Sequence, residues 1–147
     1  MHTKAILTEI LAQCRSNCYR VYDKLTPENA LLKLNDSTAS IGFIFRHTGE
    51  TMHMLCTFLG YETQVKNSTM SFVDEGQGVN IDESRMLVDS GVRLLESITE
   101  SSSEDSWLDN VDTPFFGTVS RVRVFSHIMF HNSYHLGQIG LSLRKGA

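Results

Sequence analysis

Three histidines near the C-terminus, His127, His131 and His135, recur at intervals of four residues. Residues at i and i+4 on a helix have Cβ atoms about 5–6 Å apart, so His131 and His135 can offer their imidazoles to a single ion. The whole ladder spans about 12 Å at 1.5 Å per residue, which is too long for all three to share that ion. A pair therefore binds, and at least one further ligand must come from another part of the chain. His47 meets that need. It follows Phe43-Ile44-Phe45, a run too apolar for an exposed helix surface, and lies between Ile44 on one side and Thr51 and Met54 on the other. His131 and His135 in turn share a stripe with Val124, Ile128 and Ile139, which points them at the interior. Buried polar groups need partners, and a metal is a strong one. Three histidines with one position left open is the layout of a catalytic metal site, whereas structural sites are closed by four protein ligands.

Competing chemistries fit the pattern poorly. The segment His131-Asn132-Ser133-Tyr134-His135 has Asn132 where a zinc protease carries its general-base glutamate. Ferritin-like di-iron sites need two Glu-x-x-His motifs; this chain has His47-x-x-Glu50 in the reverse order and no acid near His131. Cys14 and Cys18 sit among Ile10, Leu11 and Val21 and read as core, and Cys56 reads as structural. Glu50 has two readings, a carboxylate that orients His47 or a solvated helix position. Gln138, one turn beyond His135, either hydrogen-bonds near the ion or packs as an ordinary polar residue. His127 either lines the pocket entrance, where its near-neutral pKa suits proton transfer, or packs at the surface. Gly137 is expected to admit a close helix, and His2 and His53 are expected at the surface. No residue beyond the ligands is assigned a catalytic role.

Four helices are needed to hold these groups. Ile6, Leu7, Ile10, Leu11, Cys14, Cys18, Val21 and Leu25 recur at three and four residues and predict the first, ending at Thr26-Pro27. A second starts after the capping cluster Asn35-Asp36-Ser37, carries Ile41, Ile44, His47, Thr51, Met54, Leu55 and Phe58, and stops at Gly60. The polar stretch 61–79 is expected to be a long connection. Asn80 and Glu83 form a variant capping box for a third helix carrying Met86, Leu87, Leu94, Leu95 and Ile98, which frays through the serines at 101–103. After a loop with Trp107, Asp112 and Pro114, Thr118 is expected to cap the last helix, which runs to about Lys145. No stretch predicts a strand. The expected class is all-α, one domain over residues 1–147, with connections too long for a simple up-down-up-down bundle.

Composition bounds the partners. The 147 residues carry a net charge of −4, with no cluster of Lys and Arg, which excludes a nucleic-acid surface. No run of about 18 apolar residues is present for a membrane span. Three cysteines, an odd number, suit a reducing compartment, and the N-terminus shows no signal-peptide pattern; a cytoplasmic protein is expected.

A histidine followed by Thr48-Gly49-Glu50, and then His131-x-x-x-His135-Leu136-Gly137-Gln138-Ile139 near the end of a chain this long, resembles the DinB/YfiT family. That resemblance covers nearly the whole chain. It implies an up-down-down-up four-helix bundle in which His47, His131 and His135 hold a divalent metal, and it implies a homodimer. Phe45 and Phe130, apolar but outside the core stripes, are the expected interface residues. Family members use low-molecular-weight thiols such as bacillithiol, mycothiol or glutathione in transfer or isomerisation, or act as metal-dependent hydrolases. Leu136 departs from the arginine that many members carry there, which removes an anion contact but leaves the ligands intact. Two functions are thus expected to compete. One is a metal-dependent thiol transferase or hydrolase acting on a small-molecule substrate. The other is a non-catalytic metal-binding protein of a stress or damage response. Zinc and nickel both suit imidazole ligands.

Overall fold

The computed structural model describes residues 2–147. Four helices carry the fold: α1 (Thr3–Tyr22), α2 (Ile41–Thr57), α3 (Ile81–Ser101) and α4 (Arg121–Lys145). Side chains cap two of their starts. Ser40 Oγ accepts from Phe43 N at 3.3 Å and caps α2, while Asn80 Oδ1 accepts from Glu83 N at 3.1 Å and caps α3. Of the 17 residues of α2, 13 are buried, so this helix is the centre of the bundle and packs against both α3 and α4.

Cross-helix pairs fix the directions. Tyr19 reaches Asp89 near the start of α3, and Lys4 bonds the Glu100 carbonyl near its end, so α1 and α3 are antiparallel. Arg46 pairs with Glu83 and His53 with Ser90, so α2 and α3 run parallel. Arg121, at the start of α4, donates to Leu59 O just past the end of α2 at 2.9 Å, which makes that pair antiparallel. The bundle is therefore up-down-down-up, as the resemblance implies. A parallel α2–α3 pair needs a return of full helix length, and residues 58–80 supply it. The return is pressed against the start of α2, where Gly42 and Gly78 touch backbone to backbone: a Cβ on either would overlap the other's main chain. That contact brings the middle of the return, at Ser68 and Thr69, alongside α2.

The structure departs from the expected elements at several points. A two-stranded antiparallel hairpin, β1 (Asn110–Thr113) and β2 (Gly117–Ser120), stands where a loop was expected. Thr118 pairs with Asp112 in that ladder and does not cap α4, which begins three residues later. The first helix ends at Tyr22 before its expected Thr26-Pro27 stop, and Leu25 is buried in a following turn. Ile6, Ile10 and Met86 lie on outward faces and are exposed. Phe45 is fully buried against Tyr22 and is closed to any interface, whereas Phe130 is exposed. His53 is also buried, with Nε2 2.9 Å from Ser90 Oγ and 3.1 Å from Leu87 O, and so ties α2 to α3. Among the described residues, no other element lies within 4 Å of where a Cβ on Gly137 would stand, so no helix approaches there. The cysteines are free; Cys18 and Cys56 are buried in the core. Among the described residues no helix is long and apolar enough to cross a membrane.

Candidate metal centre

His47 on α2 faces His131 and His135 on α4, and one ligand atom from each lies within 4.8 Å of the other two. His131 Nε2 stands 3.1 Å from both His47 Nε2 and His135 Nε2. The outer ring nitrogens decide which atoms carry protons. Thr69 Oγ1 donates to Glu50 Oε2 at 2.7 Å, so its hydroxyl can only accept from His47 Nδ1, 3.2 Å away. His135 Nδ1 donates to Gln138 Oε1 at 2.6 Å. Both imidazoles therefore hold their proton on Nδ1 and turn a bare Nε2 lone pair inward. One N–H on His131 could serve only one of the two lone pairs facing it. A cation satisfies all three, and metal–imidazole bonds of about 2.0–2.1 Å place nitrogen ligands about 3.0–3.4 Å apart, which brackets the two distances from His131. His47, His131 and His135 thus form a donor set that could hold a metal ion.

Electrostatics agree with that protonation. Burial, reinforced by the neighbouring His135, pushes the His47 pKa down to about 4. Burial and the three surrounding histidines lower His131 to about 3. His135 is lowered as well, again chiefly by burial. All three are neutral near pH 7, the form in which an imidazole can bind a metal. His131 Nδ1 and the adjacent Asn132 Oδ1 are buried without a hydrogen-bond partner.

Glu50 is buried and collects four donors: Arg46 Nε at 2.7 Å, Ser68 Oγ at 2.6 Å, Ser68 N at 2.8 Å and Thr69 Oγ1 at 2.7 Å. Burial alone would raise its carboxyl; the bonds from Ser68, Thr69 and Arg46 instead hold it below the usual range. Glu50 is linked to His47 through Thr69 and not by direct contact. Thr69, 22 residues past His47 on an irregular segment, carries no periodic signal in the sequence. Only a polar residue beside the Asn67 and Ser68 turn formers marks the spot.

Two cavities meet at the histidines. The first, about 450 Å³, touches His47 and His135 and is bordered by Leu34, Phe43 and Leu141 and by the hydroxyls of Ser37, Thr38 and Ser71. Ser71 adopts φ 66°, a left-handed conformation that side chains other than glycine rarely take, and such strain tends to collect where the fold shapes a pocket. The second, about 310 Å³, touches His47 and His131 and is walled by Met54, Met70, Phe115, Phe116 and His127. Gln138 lies in the first wall and His127 in the second, its ring tilted against Phe116 with centroids 4.6 Å apart. A larger cleft of about 810 Å³ between α1 and α3 contains none of these groups.

The model of the DinB family matches residues 1–146. No curated protein matches the sequence. Solved structures share the fold at low identity. A DinB-like protein from Bacillus cereus is 15% identical, over 94% of this chain and 89% of that one, with a TM-score of 0.71. A conserved protein from Enterococcus faecalis is 13% identical over 98% and 96% of the two chains, with a TM-score of 0.75. A mycothiol-dependent maleylpyruvate isomerase is 19% identical over 95% of this chain, with a TM-score of 0.68; the match covers 64% of the isomerase.

Proposed function

The chain belongs to the DinB family, and we propose that it is an enzyme whose three histidines hold a divalent ion at which a small cellular thiol is transferred to a small electrophile. The observation that carries this reading is the convergence of three inward Nε2 atoms at the junction of two cavities. When bound, the ion supplies a Lewis acid that favours a thiolate at neutral pH without a dedicated base. Zinc and nickel are the proposed ions, since neutral imidazoles suit both. The thiol dependence named for the maleylpyruvate isomerase, which shares this fold, supports the choice of nucleophile.

The protein's own groups do the positioning. Thr69 and Gln138 hold His47 and His135 in the tautomer that presents Nε2. The cavities on either side give two reactants separate approaches to one centre, which supplies proximity. No side chain is placed as general base. Glu50 is occupied by four donors, and His127 has only a lowered pKa and aromatic neighbours. The balanced step is therefore substitution. The thiol proton passes to solvent, sulfur forms a bond to the electrophilic carbon, and the leaving group departs with its bonding pair.

The test pairs the metal-loaded protein with common cellular thiols and a model electrophile, alongside His47→Ala. Turnover by the parent and loss of turnover in the variant are expected. Equal turnover by both would remove the metal from the mechanism. No turnover with any thiol, but hydrolysis of an ester, would favour water as nucleophile, and neither activity would favour a non-catalytic metal-binding role.

A further inference from the structure

Gln138 has two chemically different ends, and the histidine centre uses only one of them. Its Oε1 stands 2.6 Å from His135 Nδ1. An imidazole that offers Nε2 to a cation keeps its proton on Nδ1, so it donates there and requires an oxygen opposite. That requirement fixes the carboxamide. Oxygen is turned to His135, and the amide hydrogens on Nε2 are turned away from it. Among the described residues none accepts from Nε2. Gln138 is half-buried in the wall of the cavity of about 450 Å³.

Other polar groups on that wall are already engaged. Ser37 Oγ donates to Asn35 Oδ1 at 2.6 Å, Thr38 Oγ1 to Asn35 O at 2.9 Å and Thr69 Oγ1 to Glu50 Oε2 at 2.7 Å. A hydroxyl that can rotate, such as that of Ser71 in the same wall, donates or accepts as its partner requires and discriminates little. The Gln138 amide cannot turn over without breaking its bond to His135, so it meets a ligand as a donor. Leu34, Phe43 and Leu141 border the same space, and a low local dielectric strengthens a hydrogen bond made there.

The cavity is of ordinary size for a small-molecule site and touches His47 and His135. Gln138 stands one imidazole ring and one hydrogen bond away from the cluster of Nε2 atoms. In a cysteine-derived thiol with an amidated carboxyl, the carbonyl carbon is three bonds from sulfur. With a hydrogen bond added, that reach is comparable. We propose that Gln138 is a specificity-determining residue for the thiol: its Nε2 donates to an amide carbonyl of a cysteine-derived thiol lying in this larger cavity, while its Oε1 holds His135. The smaller cavity is thereby left to the electrophile. The identity of the ligand as a thiol rests on the thiol-transfer reading; the donor presented by Gln138 does not.

Gln138→Glu separates the two ends. Its carboxylate still accepts from His135 Nδ1, but it has no amide hydrogen to give and repels a carbonyl oxygen. The probes are N-acetylcysteinamide, which is uncharged and carries the carbonyl, and butanethiol, which carries no acceptor. Calorimetric titration into the metal-loaded protein should show Gln138→Glu weakening N-acetylcysteinamide at least fivefold and leaving butanethiol within twofold of the parent. Competition with a chromophoric chelator should show metal held at least as tightly as in the parent. Gln138→Leu, which repels nothing, should also weaken N-acetylcysteinamide at least threefold, and it should weaken metal about tenfold. Equal effects on the two thiols, N-acetylcysteinamide affinity that survives in either variant, or loss of metal from Gln138→Glu would overturn the proposal. Selective weakening of N-acetylcysteinamide in both variants, with neither thiol transferred to a model electrophile by the parent, would uphold the Gln138 contact and overturn the thiol-transfer reading instead. Binding of neither thiol to the parent would overturn both.

Discussion

Replacing Thr69 by Val tests whether the loop of residues 58–80 tunes the histidines or merely covers them. Valine matches threonine in shape, so the perturbation is the loss of one hydroxyl. In the parent that hydroxyl passes a chain of hydrogen bonds from His47 Nδ1 (3.2 Å) to Glu50 Oε2 (2.7 Å). Its loss leaves Nδ1 with no protein acceptor nearer than Thr51 Oγ1, 3.5 Å away. His47 is then free to move its proton to Nε2 and must return it to Nδ1 before Nε2 can bind a cation. Loss of such an outer partner costs about 10–100-fold in metal affinity. The bond to Nδ1 is long, which places the effect near tenfold, or about 1.4 kcal/mol. Glu50 keeps Ser68 N, Ser68 Oγ and Arg46 Nε as donors, so its charge stays paired. The fold should lose about 2 kcal/mol, the worth of one hydrogen bond to a charged group. Competition with a chromophoric chelator measures the affinity, and urea denaturation of the metal-free protein measures stability. Thr51→Val is the control, since Thr51 Oγ1 lies 3.5 Å from both ring nitrogens and should change affinity less than twofold. A Thr69→Val protein that loses stability but binds metal within twofold of the parent would refute the reasoning.

Three further outcomes are expected. The metal-free protein should be most stable above pH 6.5 and should weaken as pH falls. His47 and His131, held at about 4 and 3 by burial, stay neutral in the native state while their unfolded counterparts take up protons near 6.5. The slope is up to about 1.4 kcal/mol per pH unit for each histidine; equal denaturation midpoints at pH 7 and pH 5 would contradict it. Gly78→Ala should cost about 3 kcal/mol or prevent folding, because the new methyl overlaps the Gly42 backbone; an unchanged midpoint would show that the return loop is not pressed there. We propose a homodimer through the exposed Phe130 and Tyr134 rings, stacked at 6.3 Å. Light scattering should give twice the 16.6 kDa chain mass for the parent and a monomer for Phe130→Glu, and a monomeric parent would refute it.

What the sequence conveyed depended on periodicity. His131 and His135 stood out because four residues is close to one helical turn, and His47 because the apolar run before it belongs to an enclosed helix. The same rule placed the four helices. It failed where structure is not periodic. Thr69 sits on an irregular return whose position is set by the Gly42–Gly78 contact, a long-range fact that no local window contains. The hairpin has strands of four residues, Asn-Val-Asp-Thr and Gly-Thr-Val-Ser, too short and polar to show an alternating face. His53 was misplaced because α2 is buried on nearly every side, so the polar face expected of an amphipathic helix does not exist. Phe45 was misplaced for the same reason.

The metal content of the purified protein bears most directly on the three-histidine centre. Elemental analysis of the parent should give one divalent ion per chain, and His47→Ala, His131→Ala and His135→Ala should each lose it while far-ultraviolet circular dichroism shows the helices intact. Stoichiometric metal retained in any one of these folded variants would contradict the assignment of that histidine. Retention in all three would place the ion elsewhere.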